Sequence, residues 1–220
     1  MGVVVAMDGP SGSGKSSTSR GVATRLGLRY LDTGAMFRAM TWWLLERGID
    51  PADADAVAAH VDQPLLVSGT DPQRPTITVD GTDVAGPIRG PEVTAAVSAV
   101  SAVPAVRERL LREQRDVIGD GDIVVEGRDI GTVVAPEAAV KVYLTADAGA
   151  RAVRRAAEQT ETDVGATEQD LLRRDRIDSG RATAPLTMAP DAHHLDTTPY
   201  TLDEVVDRVV ALVVEAREDA

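Results

Sequence analysis

The sequence predicts an α/β fold in three layers, helix on sheet on helix around a parallel central sheet. A small antiparallel insert and an Arg-rich arm are added to that frame. Three observations carry the prediction. First, residues 3–7 and 123–125 are short, continuous apolar runs, the pattern of strands buried on both faces, and residues 140–145 read as another strand. Second, stretches of helical periodicity alternate with these runs, the rhythm of a parallel sheet joined by crossover helices. Third, Gly9-Pro10-Ser11-Gly12-Ser13-Gly14-Lys15-Ser16 follows the first run and opens the first helix. It satisfies Gly-x-x-x-x-Gly-Lys-Ser/Thr, a loop whose backbone N–H groups wrap phosphates while its Lys and hydroxyl serve the outer phosphates and Mg²⁺.

Composition narrows the class. A chain of 220 residues has room for one α/β domain with a small insert and an ample core. No 18-residue apolar run and no charged, apolar, cleavable start are present, so neither a membrane span nor a signal peptide is expected. Zero Cys removes disulfides and thiolate metal sites and fits a cytoplasmic location. A net charge of −12 argues against nucleic acid as a partner, since such binders carry a basic surface. Lys15 and Lys141 are the only lysines among 23 basic residues; the rest are Arg, which forks bidentately onto phosphate.

Taken in order, the first helix is expected over residues 16–26, with its N-terminus facing an anion. Residues 29–31 make a brief strand that runs into Asp32-Thr33-Gly34. A helix over residues 35–47 follows, with Met36, Met40, Trp43 and Leu44 at core spacing and Gly48 at C′. Asp50-Pro51 reads as N-cap and first turn of the next helix, ending near His60, to which a structural or solvated role is given. Residues 65–68 and 76–79 read as two strands, the second followed by Asp80-Gly81, which makes residues 62–87 a small antiparallel insert. Pro91 and Pro104 each open a helix, the second running to about Ile118. Val93, Val97 and Val100 form one apolar stripe; Val103, Val106 and Leu110 form another. On spacing alone, Arg107 beside that stripe is a solvated helix charge.

The strand at 123–125 ends in Glu126-Gly127-Arg128-Asp129, and ligands of doubly wound sheets collect outside the carboxyl ends of strands. After the strand at 140–145 comes the arm, with Arg151, Arg154, Arg155, Arg173, Arg174, Arg176 and Arg181. Its polar middle, residues 160–167, reads as a mobile flap, the alternative being a solvated helix pair laced with salt bridges. Residues 193–196 make the last strand. Thr201-x-x-Glu204 is a capping box for a terminal helix whose Val205, Val206, Val209, Val210 and Val213 cover the sheet.

A phosphate loop alone does not separate a kinase from a GTP switch, a motor or a passive nucleotide binder. The chain contains no Asn, so the guanine-reading Asn-Lys-x-Asp box cannot exist. Asp32-Thr33-Gly34 and Asp178-Ser179-Gly180 imitate a paired-carboxylate hydrolase, but the second lies in an Arg-rich helical stretch.

Four blocks then resemble the bacterial cytidylate kinase family. They are residues 5–17 around the phosphate loop, Leu31-Asp32-Thr33-Gly34-Ala35-Met36-Phe37-Arg38, Glu126-Gly127-Arg128-Asp129-Ile130-Gly131-Thr132, and Arg174-Asp175-x-x-Asp178-Ser179-x-Arg181-x-x-x-Pro185-Leu186. They fall in the family's order and spacing across the chain. The resemblance implies a P-loop kinase whose core is residues 1–34, 119–150 and 182–220, with a nucleoside monophosphate lobe at 35–118 and a lid at 151–181. It implies ATP-dependent phosphorylation of CMP and dCMP by a cytoplasmic monomer using Mg²⁺.

Position by position, it implies that Gly9 to Ser17, through Pro10, Ser11, Gly12, Ser13 and Gly14, cradle ATP. Lys15 would hold ATP phosphates and Ser16 the Mg²⁺. Arg38 and Arg128 would clamp the 5′-phosphate of CMP, with Thr33 and Phe37 against the acceptor. Ser98, Arg107 and Asp129 would read the cytosine edge, reversing the spacing-only reading of Arg107. Asp178 and Arg181 would reach the ribose and phosphate side, and Arg155, with Arg151 and Arg174, would close on ATP; Lys15, Arg128, Arg155 and Arg174 are the catalytic set. Two residues depart from the family pattern. Phe37 stands where Tyr is usual, removing a hydroxyl contact, and Glu126 stands where Asp is expected at the Mg²⁺. A kinase of another small acceptor and a non-catalytic ATP-binding module stay open as alternatives.

Overall fold

A computed structural model describes residues 2–159, 163–180 and 184–218, the side chains of 155 and 157–159 excepted. Five strands form the central sheet in the order β2-β6-β1-β7-β8. β1 (Val4–Asp8) lies in the middle, where Val5, Ala6 and Met7 are wholly buried. It pairs in parallel with β6 (Ile123–Glu126), Met7 opposite Glu126, and with β7 (Val140–Thr145), Met7 opposite Val142. β8 (His193–Asp196) adds in parallel to β7, and β2 is Arg29–Asp32. Continuous apolar runs give strands buried on both faces here because helices cover both faces of a parallel sheet. Among the described residues, no helix is long and apolar enough to cross a membrane.

The chain divides into two compact units, and the division falls inside β2. One comprises Met1–Tyr30 with Asp120–Ala220; the other is Leu31–Gly119.

In the first unit, α1 (Lys15–Leu26) and α8 (Leu202–Glu218) pack together over a core that includes Val22, Val205, Val206 and Val209. Gly21 allows their close approach, since a Cβ there would stand 2.7 Å from Val206 Cγ2. The capping box of α8 forms as expected: Thr201 N–H donates to Glu204 Oε2 at 2.8 Å and Glu204 N–H to Thr201 Oγ1 at 3.4 Å. The Arg-rich arm is two helices packed on each other, α6 (Ala148–Gln159) and α7 (Val164–Gly180). Buried Ala152, Ala156 and Leu171 supply the packing. Of the polar middle, residues 160–162 lie outside the described residues.

In the second unit, α2 (Thr33–Glu46) begins two residues before the expected start, because Asp32 accepts the Ala35 N–H at 2.9 Å and caps it. Met36, Met40, Trp43 and Leu44 are buried as expected. The Asp50-Pro51 cap is corrected. α3 (Ala54–His60) is capped by Asp53, which accepts the Ala56 N–H at 2.9 Å, whereas Asp50 accepts from Ala52 within the preceding turn. β3 (Leu66–Ser68), β4 (Ile77–Val79) and β5 (Thr82–Asp83) make an antiparallel sheet, β5 being a strand the sequence pattern did not reveal. Asp80 and Gly81 between β4 and β5 have φ of 51° and 80°, the left-handed pair of a tight hairpin. α4 (Pro91–Val100) and α5 (Pro104–Ile118) both carry Pro in the first turn.

Candidate active site

The phosphate loop connects β1 to α1, and its backbone is of a kind few other residues would permit. Gly9 has φ 142°, and a Cβ there would stand 2.0 Å from the Leu144 carbonyl oxygen. Gly12 and Gly14 have φ of 78° and 88°, a region that costs side-chain-bearing residues strain. Gly14 is the N-cap of α1. No side chain caps the helix there, and its first turn holds no acidic residue. An uncapped, uncompensated helix N-terminus is an anion site.

The cations beside it are held rather than solvated. Lys15 Nζ donates to the Pro10 carbonyl at 2.7 Å. Its pKa is pulled down from 10.5 to about 7, by burial first and then by the Arg128 guanidinium, against the opposing pull of Glu126, Asp8 and Asp175. Arg128 follows β6 and is anchored on both prongs. Its Nη1 donates to the Gly9 carbonyl at 2.9 Å, and its Nη2 pairs with Asp178 Oδ2 of α7 at 3.0 Å. Two cations that repel each other beside an open helix end mark the place for a polyanion.

Arg151, 6% exposed, donates to the Ser11 carbonyl at 3.2 Å and pairs with Asp175 of α7. Arg174 is buried on the same helix. Arg154 donates to Thr197 Oγ1 at 2.8 Å and to its carbonyl at 2.9 Å, and the Thr197 hydroxyl lies 3.1 Å from the Ser13 carbonyl. Ser17 is exposed, the third residue of α1.

Glu126 ends β6 with 3% exposure. Its Oε2 accepts the Ser16 hydroxyl at 2.9 Å, and its Oε1 accepts the Tyr30 hydroxyl. A hydroxyl and a carboxylate side by side are the hard oxygen donors that Mg²⁺ takes alongside water and phosphate. The residues present therefore fit that ion, and the extra methylene of Glu at this position does not keep its carboxylate from Ser16.

In the second unit, Thr33 opens α2 and is buried. One turn on, Arg38 Nη1 donates to the Ile88 carbonyl and to Thr94 Oγ1, each at 3.0 Å. Arg107 is corrected from its spacing-only reading. It is 8% exposed, donates to the Ser101 carbonyl at 3.3 Å, and its guanidinium lies 5.4 Å from the Phe37 ring centre. A cation over a ring is attracted to the π face, so Phe37, short of a hydroxyl, still has a task. Ser98 is buried on α4. Asp129 is 5% exposed in the first unit, directly after Arg128. Arg181 and the Arg155 side chain lie outside the described residues.

The hydrolase alternative finds no support. Asp32 is spent on the α2 cap, and Asp178 pairs with a cation rather than with a second carboxylate. The sequence assigned no role to Asp8, Tyr30, Asp175 or Thr197, although Asp8 and Asp175 fall inside two of the four blocks; their partners lie 24 or more residues away in the chain.

The profile of the cytidylate kinase family matches residues 5–215. A cytidylate kinase from Streptomyces avermitilis is 57% identical over 217 residues, covering 98% of this chain and 94% of that protein. One from Corynebacterium glutamicum is 50% identical over 223 residues, covering 99% and 96%. Among solved structures, an uncharacterized protein from Eubacterium ventriosum superposes with a TM-score of 0.52 at 10% identity, covering 95% of this chain and 96% of that one, a likeness of fold. With a profile match across almost its whole length and relatives at half identity or more, this chain belongs to the cytidylate kinase family.

Proposed function

We propose that the protein transfers the γ-phosphoryl group of ATP to the 5′-phosphate of CMP and dCMP, giving CDP and dCDP. The observation that carries this is the Lys15–Arg128 arrangement: two cations, one with its pKa depressed to about 7, beside an uncapped helix N-terminus. Each would be relieved by an anionic phosphate chain.

The acceptor is a phosphate monoester with a second pKa of about 6, so at neutral pH its oxygen is already an ionised nucleophile. No general base is needed. The protein has to align the two phosphates, supply positive charge around the transferring group, and keep water out. Lys15 and the loop amides hold the donor, while Arg38 and Arg128 hold the acceptor phosphate, with Thr33 beside it. Asp129, Arg107 and Ser98 read the base; Asp178 and Arg181 serve the ribose side. Arg151, Arg155 and Arg174 bring charge from the helix pair, which acts as the lid, and the Leu31–Gly119 unit serves as the acceptor lobe. Mg²⁺ would be held through Ser16 and Glu126 and would neutralise phosphate charge. We place the enzyme in the cytoplasm as a monomer without a nucleic-acid partner.

Incubation with ATP and each of AMP, CMP, UMP, GMP and shikimate, followed by ADP release, tests the reading. ADP release dependent on CMP supports it. Release without any acceptor, or with a different acceptor and not with CMP, overturns it.

A further inference from the structure

One buried carboxylate near the loop has been given no ligand to touch and acts on Lys15 through its charge alone. Asp8 closes β1 immediately before Gly9 and is 4% exposed. Its Oδ1 accepts the Ile130 N–H and its Oδ2 the Gly131 N–H, each at 2.8 Å. Burial pushes its pKa up from 3.8 to about 6, against the pull of those two amides. A charge kept at that cost, with both oxygens spent on consecutive backbone donors, holds a segment of chain in place.

The segment is the one that follows Arg128 and Asp129. It turns into a short π-helical stretch, Ile130–Val134, directly after Asp129. The Gly127 N–H is tied to the Met7 carbonyl at 3.0 Å. The backbone of residues 128 and 129 is thus pinned on its N-terminal side by β1 and on its C-terminal side by Asp8. Gly131 belongs to the same fastening, because a Cβ there would meet Lys141 Cδ at 3.2 Å and Asp8 Oδ2 at 3.4 Å.

We propose that Asp8 is a positioning residue for acceptor recognition: by clamping the amides of Ile130 and Gly131 it fixes how Arg128 and Asp129 are presented to the nucleoside monophosphate. This rests on the acceptor-binding roles given to Arg128 and Asp129 above. Asn at position 8 keeps the shape but has one carbonyl oxygen where two acceptors are used, so its amide group faces an N–H. The loop then loses one of its two fixings, and the groups that read the acceptor lose their registration.

The test is equilibrium binding of CMP, UMP and ATP, each measured separately by calorimetry on the full chain, for the wild type, Asp8→Asn and Gly131→Ala. Asp8→Asn is expected to weaken CMP about tenfold and to narrow the CMP to UMP ratio, with ATP weakened several-fold less, through the carboxylate charge that Lys15 loses. Gly131→Ala, which leaves the charge untouched and crowds the same contact, should give the same pattern at about threefold. It decides the matter if Asp8→Asn does not fold. Equal weakening of CMP and ATP, or unchanged CMP binding in a folded variant, overturns the proposal. A wild type that fails to bind CMP would instead overturn the acceptor assignment itself.

Discussion

Lys15→Met should inactivate the protein and make it more stable. The Lys15 pKa falls from 10.5 to about 7, chiefly through burial and then through Arg128. At about 1.4 kcal/mol per pH unit, that is a penalty on the order of 5 kcal/mol against the charged form. Met fills nearly the same space without a charge and gives up the bond to the Pro10 carbonyl, worth about 1 kcal/mol. After allowance for relaxation the net gain is about 3 kcal/mol, or roughly 6–12 °C in Tm for a chain of this size. The gain has a pH signature. Between about pH 7 and 10.5 the unfolded chain holds the Lys15 proton and the folded chain does not, so wild-type stability rises with pH across that window. The advantage of the variant is therefore full below pH 7 and fades towards pH 10.5. Thermal unfolding of both proteins from pH 6 to 10, with CDP formation measured in parallel, reads this out. Turnover should fall by at least two to three orders of magnitude, the usual loss on deleting a group that stabilises developing charge. A variant with unchanged or lower Tm, or with near-normal CDP formation, would refute the reasoning.

Other perturbations have equally definite outcomes. Gly9→Ala places a Cβ 2.0 Å from the Leu144 carbonyl oxygen at φ 142°, so ATP binding measured by calorimetry should be lost even where a folded protein is recovered. Asp129→Ala should reduce kcat/KM for CMP by at least tenfold and for UMP much less, with the KM for ATP nearly constant; equal losses for the two acceptors would contradict its base-reading role. Ser16→Ala removes the hydroxyl that Glu126 holds at 2.9 Å, so the Mg²⁺ concentration giving half-maximal activity should rise at least tenfold. Burial raises the Asp8 pKa from 3.8 to about 6, so the folded chain keeps a proton that the unfolded chain has lost. Wild-type stability should accordingly fall as pH rises from about 4 to 6, and Asp8→Asn should flatten that slope in urea titrations.

What the sequence made legible follows from how local each signal is. The loop, its flanking strand and the first helix were readable because the glycines, Lys15 and Ser16 sit in one contiguous stretch with a single chemical purpose. The capping box at Thr201 and Glu204 was readable for the same reason. Asp50 and Asp53 are both good caps before a helix, and only the backbone decides between them; Asp53 prevails. β5 is two residues long and was hidden behind the Asp80-Gly81 turn that announces it. Arg107 shows the limit of periodicity. Its helix position says only that it borders an apolar stripe, while its burial depends on Phe37 and Ser101, and Phe37 lies on another helix. The partners of Asp8 are more than 120 residues away, so its role as a clamp is a property of the fold rather than of any motif.

Phosphorus NMR of ATP and CMP incubated together with the protein tests the central claim most directly. The account predicts ADP and CDP appearing in equal amounts, with the new β-phosphate on CDP and no inorganic phosphate while CMP lasts. Conversion of ATP to ADP and inorganic phosphate, with CMP left untouched, would contradict it.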